Sequence, residues 1–79
     1  MGPGAPAHLR FRMRRGMKEL DVVLERYFAT RYPLAPPAER DAFARLLEQE
    51  DPVIWDWMMQ RTAPPPELDD VVQRLRRGA

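Results

Sequence analysis

Apolar side chains recur along this chain at three- and four-residue intervals, with no sustained period-two alternation of the kind a half-buried strand shows. Leu20, Val23, Leu24, Tyr27 and Phe28 fall at i, i+3, i+4, i+7 and i+8, which predicts a helix over residues 17–32 with one buried stripe. Phe43, Leu46 and Leu47, with Ala42 beside them, predict a helix over residues 37–50. Val53, Ile54, Trp57 and Met58 predict another after Asp51–Pro52, where Asp suits the N-cap and Pro the first helical position. Trp55 falls on a different face, so one tryptophan is expected in the core and the other partly exposed. Leu68, Val71, Val72 and Leu75 predict a last helix after the triple proline at 64–66. A weaker pattern, Leu9, Phe11 and Met13 among arginines of good helix propensity, predicts a short first helix over residues 7–15.

Proline and glycine set the boundaries, at Gly16, Pro33, Pro36–Pro37, Pro52 and Pro64–Pro66, and no Asn-Gly or Asp-Gly hairpin signal occurs. The expectation is an all-α protein, a small single-domain bundle of about five short helices over residues 7–79. A flexible N-terminal tail is expected over residues 1–6. A chain of 79 residues makes one domain. It buries only about 60% of the surface its unfolded form exposes, so modest stability is expected.

Composition narrows the chemistry. There is no cysteine, hence no disulfide and no thiolate metal site. The lone His8 stands outside any ligand cluster and reads as a surface residue. No apolar run approaches the roughly 20 residues of a membrane span. The front end is Arg-rich and acid-free, a faint presequence signal, but it lacks the apolar core of a secretory signal. It runs straight into Arg15–Gly16, which leaves no room for a removable segment, and a cytoplasmic protein is expected.

The net charge of +1 conceals an uneven distribution. Residues 1–18 carry Arg10, Arg12, Arg14, Arg15 and Lys18 and no acid, whereas residues 39–70 carry nine acidic side chains against three basic ones. In the last helix Glu67, Asp69 and Asp70 lie near the start and Arg74, Arg76 and Arg77 near the end, which complements the helix dipole. A basic pole and an acidic face suit oriented docking onto a partner. Nothing resembles a phosphate loop, a nucleophile–base pair or a dinucleotide fingerprint, so catalysis is disfavoured. Nucleic-acid binding is disfavoured by the acidic middle and by a sequence pI near 8.3. A protein-binding role remains, including an antitoxin-like or general adaptor.

The stretch "RRGMKELD", residues 14–21, supports two readings. In the first, Gly16 is the N-cap of the helix that follows and Glu19, at N3, reaches back to the Gly16 N–H as half of a capping box, with Arg15 in solvent. In the second, Gly16 lets a partner's surface come close, because it has no Cβ. Arg15 and Glu19 then offer a guanidinium and a carboxylate on either side of it.

"RRGMKELD", then "YP-L-A", then "FARLLEQEDPVIWDWM" resemble, in that order, the SdhE family. These are small helical assembly factors that promote covalent attachment of FAD to the flavoprotein subunit of succinate dehydrogenase and fumarate reductase. The family's R-G-x-x-E is matched by Arg15, Gly16 and Glu19, and its L-L-E-x-x-D-P with a following aromatic by Leu46, Leu47, Glu48, Asp51, Pro52 and Trp57. The resemblance spans residues 9–77; "LAPPAER" departs from it in lacking a Ser or Asp cap. It implies a bundle of about five helices with no enzyme activity and no cofactor of its own, FAD being attached to the partner. It also implies a monomer that binds the client flavoprotein through Arg15, Gly16 and Glu19, with Met17, Lys18, Arg14 and Asp51 as lesser candidates.

Overall fold

A computed structural model of the chain describes residue 13 and residues 15–78. Among these residues the order is α1 (Lys18–Thr30), a 3₁₀ turn (Tyr32–Leu34), α2 (Pro37–Leu46), α3 (Asp51–Met58) and α4 (Pro66–Gly78), without a strand. The protein is all-α, but the described residues hold four α-helices rather than about five. The tail expected over 1–6 and most of the helix expected over 7–15 lie outside them; Met13, in a turn, is 3% exposed and part of the core.

Local sequence explains each boundary. The N-cap of α1 is Met17, in an extended conformation, whose carbonyl accepts the Asp21 N–H at 2.9 Å. Gly16 therefore precedes the cap, and Glu19 stands at N2 without a capping bond, which corrects the capping-box reading. Pro33 has no N–H to continue α1. The chain tightens there into the 3₁₀ turn, with Leu34 N–H on Arg31 O at 2.9 Å and Ala35 N–H on Tyr32 O at 3.1 Å. Pro37 opens α2 after an extended Pro36, a preset φ compensating for the missing side-chain cap.

Glu50, not Asp51, is the N-cap of α3; Asp51 is its first residue and Pro52 its second. The expected Asp cap is absent because the Asp51 carboxylate is engaged elsewhere. α3 ends with Gln60 at φ 61°, Gln60 N–H on Trp57 O at 3.2 Å and Arg61 N–H on Asp56 O at 2.8 Å. That is a Schellman closure, with glutamine where glycine is usual.

The last helix is the hub. α4 packs against α1, α2 and α3, and its Leu68, Val71, Val72 and Leu75 are all buried. The stripe of α1 and the three apolar positions of α2's end are buried as the spacing predicts. In α3 the buried positions are Ile54, Trp57 and Met58, with Trp55 half-buried against the core. Val53, expected in the stripe, is 36% exposed, because a two-turn helix has a narrow face and Val53 lies about 100° from Ile54 around it. Tyr32 and Ala35, in the turn, are buried without any periodic signal. Tyr32 joins two rings: its centroid is 5.1 Å from Phe28 and 5.7 Å from Phe43, and Phe43 stands 4.6 Å from Tyr27.

One polar cluster bridges three helices at the edge of this core. Glu39 of α2 accepts the Tyr27 hydroxyl at 2.6 Å and Arg31 Nε and Nη2 at 3.0 and 2.9 Å; Arg74 Nε of α4 stands 3.2 Å away. The hydrogen bonds from Arg31, helped by that of Tyr27, hold the Glu39 carboxyl below its ordinary pKa against the opposing effect of burial. Burial, and then the bond to Glu39, push the Tyr27 phenol far up, so it stays a neutral donor.

Two outcomes follow from this packing. Trp57→Ala truncates a side chain only 6% exposed, and urea unfolding is expected to show a loss of about 3–5 kcal/mol. The lowered pKa of Glu39 makes its contribution full above the ordinary carboxylate value and lost as pH falls through the folded one. Thermal midpoints of the native chain should therefore fall below about pH 4.3 more steeply than those of Glu39→Gln, which starts lower at pH 7.

Candidate partner-binding site

Arg15 is where the two sequence blocks meet. Its Nη1 donates to the carbonyl of Leu47, the C-cap of α2, at 2.8 Å. Its Nη2 donates to the Gln49 carbonyl, and its Nε donates to Asp51 Oδ1 at the first residue of α3. One planar guanidinium thus covers the α2–α3 corner, taking two carbonyls where helix-end partial charge is negative and one carboxylate. Its backbone is fixed as well, since the Arg15 N–H donates to Asp21 Oδ1 at 3.0 Å. Asp21 performs the reach-back that the sequence suggested for Glu19. The Arg15 side chain is only 14% exposed and that of Asp51 22%, so neither stands free in solvent.

The chain then turns outward. Gly16 has φ +95°, a conformation that L side chains rarely adopt, so the backbone alone requires glycine here. A Cβ built on it would meet no other described residue within 4 Å, so among the described residues the space above it is open. Lys18 and Glu19 are exposed, and neither side chain has a hydrogen bond or ion pair to another described residue. Met17 is partly buried against the core. Val22, one turn beyond Lys18 and Glu19, is 56% exposed.

The candidate residues therefore divide. Gly16, Lys18 and Glu19 share an open surface at the start of α1. Arg15 and Asp51 form the bridge beneath it, Met17 roots it in the core, and Arg14 lies outside the described residues. Sequence reasoning missed Val22, whose exposure follows from its position off the buried stripe, and Asp21, whose spacing of six from Arg15 matches no common capping pattern. The described residues hold no group of three or more potential metal ligands, and no helix among them is long and apolar enough to cross a membrane.

Residues 7–79 match the family model described as "Flavinator of succinate dehydrogenase". The chain belongs to this family. It is 43% identical over 67 residues to the FAD assembly factor SdhE of Acinetobacter baylyi, covering 84% of this chain and 79% of that one. It is 32% identical over 76 residues to the FAD assembly factor SdhE of Coxiella burnetii, covering 95% of this chain and 93% of that one. A 51-residue match to the SdhE of Xylella fastidiosa is 49% identical and covers 65% of this chain and 53% of that one. No solved structure matches the chain.

The geometry divides the stretch Arg15–Glu19 into a largely buried anchor and an open face. Replacing the anchor tests the division. Arg15→Met keeps the aliphatic stem but leaves the Leu47 and Gln49 carbonyls and the Asp51 carboxylate without their donor. Denaturant unfolding is expected to show a loss of about 1–3 kcal/mol. Arg15→Lys should recover only part of it, because one ammonium does not span three separated acceptors.

Proposed function

We propose that this chain binds the immature flavoprotein subunit of succinate dehydrogenase and promotes its covalent flavinylation, the bond itself forming by the client's own chemistry. The flavoprotein of fumarate reductase is a second client for the same surface. The chain acts as a cytoplasmic monomer that performs no catalysis and keeps no flavin.

The observation that carries this reading is the open Gly16 beside the exposed Glu19 carboxylate in a chain of the flavinator family. A partner's backbone or aromatic face can press against Gly16 because no side chain intervenes. Glu19 lacks a partner among the described residues and is available to accept charge-assisted hydrogen bonds from a client's Arg, His or backbone amides. Lys18 adds a cation beside it. Because Arg15 fixes the corner before binding, docking costs little ordering of the loop, and preorganisation of this kind favours affinity. Arg15 and Asp51 act on the client indirectly, by holding the surface in shape.

Glu19 gives the cleanest test, since any side chain at Gly16 also strains a positive φ. Glu19→Ala should cost at most about 1 kcal/mol of stability, the first-turn helix-dipole contribution of one carboxylate. In cells co-expressing the flavoprotein subunit, in-gel flavin fluorescence of the denatured client should drop severalfold. Undiminished covalent flavin with the variant, or with the chain omitted, would contradict the proposal.

A further inference from the structure

A second feature lies at the far end of α1, away from the Gly16 corner. A half-open cavity of about 160 Å³ separates the last turns of α1 from α4, and Arg26, Arg31, Arg74 and Arg77 all line it. Among the described residues its lining contains no acidic side chain, and its apolar part includes Tyr27 and Leu75. Behind it Glu39 grips Arg31 through two bonds and stands 3.2 Å from Arg74, which holds both guanidinium planes in place before any ligand arrives. Arg26 has a partner of its own; even without it, one carboxylate stands against Arg31, Arg74 and Arg77 among the described residues, which leaves the cavity positive.

From this geometry we propose that the α1–α4 cavity is a second docking point, which receives an acidic side chain from the flavoprotein client. The inference rests on the client reading and adds to it the chemistry of a second contact. Size favours a single carboxylate-bearing side chain, because pockets that enclose a drug-sized ligand run to about 300–1,000 Å³. Arginine forks match carboxylate geometry bidentately, and the apolar wall accommodates the methylene stem of an Asp or Glu. A nucleic-acid backbone fits less well, since it would need a long positive track, whereas this cluster occupies one end of a chain whose net charge is +1.

Placement supports the same occupant. Glu19, Val22, Arg26 and Thr30 follow one another at helical spacing, so one face of α1 runs from the open Gly16 corner to the rim of the cavity. Eleven residues at about 1.5 Å each separate Glu19 from Thr30 by about 16 Å, within the span of one protein interface. The finish of that face carries guanidinium groups, whereas its start sets the Glu19 carboxylate beside the Lys18 ammonium. An acidic client side chain is therefore drawn to the cavity end more than to the Gly16 end, which favours one docking orientation.

The test measures binding of the purified apo-flavoprotein subunit by surface plasmon resonance, at low and at physiological salt. Wild type, Glu19→Ala, Arg77→Gln and Arg77→Glu are compared, with circular dichroism melts for each. The expected result is a loss of affinity of tenfold or more for Arg77→Glu and a smaller one for Arg77→Gln. Both losses should lie mainly in the association rate, with a weakened salt dependence and melts close to wild type. Binding of both Arg77 variants within twofold of wild type, while Glu19→Ala is impaired, removes the cavity as a docking point and leaves the client reading standing. No binding by the wild-type chain removes both. A 20-base-pair DNA duplex that binds wild type but not Arg77→Glu, with flavoprotein binding unchanged, reassigns the patch to phosphate and overturns the proposal.

Discussion

A single guanidinium holds the functional corner of this protein together. Arg15 reaches the C-cap carbonyl of α2, a carbonyl of the loop and the first residue of α3, while its own N–H is fixed by Asp21. Helix ends leave backbone groups without partners, and in a chain this short there is little other structure to cover them. Arg15 supplies that cover and determines where the chain leaves the bundle, so that Gly16 turns outward and α1 begins one residue after Met17. The same contact joins the two stretches in space: Arg15 is bonded to the Leu47 and Gln49 carbonyls and to the Asp51 carboxylate.

Glu39 plays the corresponding part at the opposite end of α1. It gathers Tyr27, Arg31 and Arg74 from α1 and α4, and its carboxylate remains charged because those donors outweigh its desolvation. Among the described residues no charged side chain is fully buried. Both hubs sit instead at the rim of the core, where water still screens part of each charge. The core itself stays apolar, stacked on α4, and the polar hubs fix the angles at which the short helices meet it. Packing on α4 supplies most of the stability, and the two polar clusters at the rim add to it while they set the shape of the surface.

Much of the fold was legible because helical periodicity is a local property. The stripes of α1 and α4 came out residue for residue, as did Ile54, Trp57 and the half-exposed Trp55. The errors came from information that periodicity does not contain. Val53 surfaced because α3 has only two turns, and Tyr32 was buried by a 3₁₀ turn that has no stripe of its own. Gln60 adopts φ 61° where a glycine would have signalled the helix end. At the site, the outward Gly16 and exposed Glu19 suited the docking reading, but Arg15 belonged to neither of the environments considered. Its side-chain acceptors among the described residues lie 32 to 36 residues away, and two of those three are backbone carbonyls, which carry no residue signature.

That division bears on how any defect in this protein should be interpreted. A substitution at Arg15 or Asp51 loosens the corner and moves Gly16, so on the proposed function client binding and stability fail together and neither result identifies a contact. A substitution at Gly16 imposes backbone strain as well as bulk, since φ +95° disfavours every L side chain. Only groups that project from the surface without supporting it, Glu19 and Lys18 at the start of α1, separate recognition from folding. The residue that looks most like a gripping hand in the sequence is part of the wrist, and the proposed contact surface is the small group of exposed atoms that it holds in position.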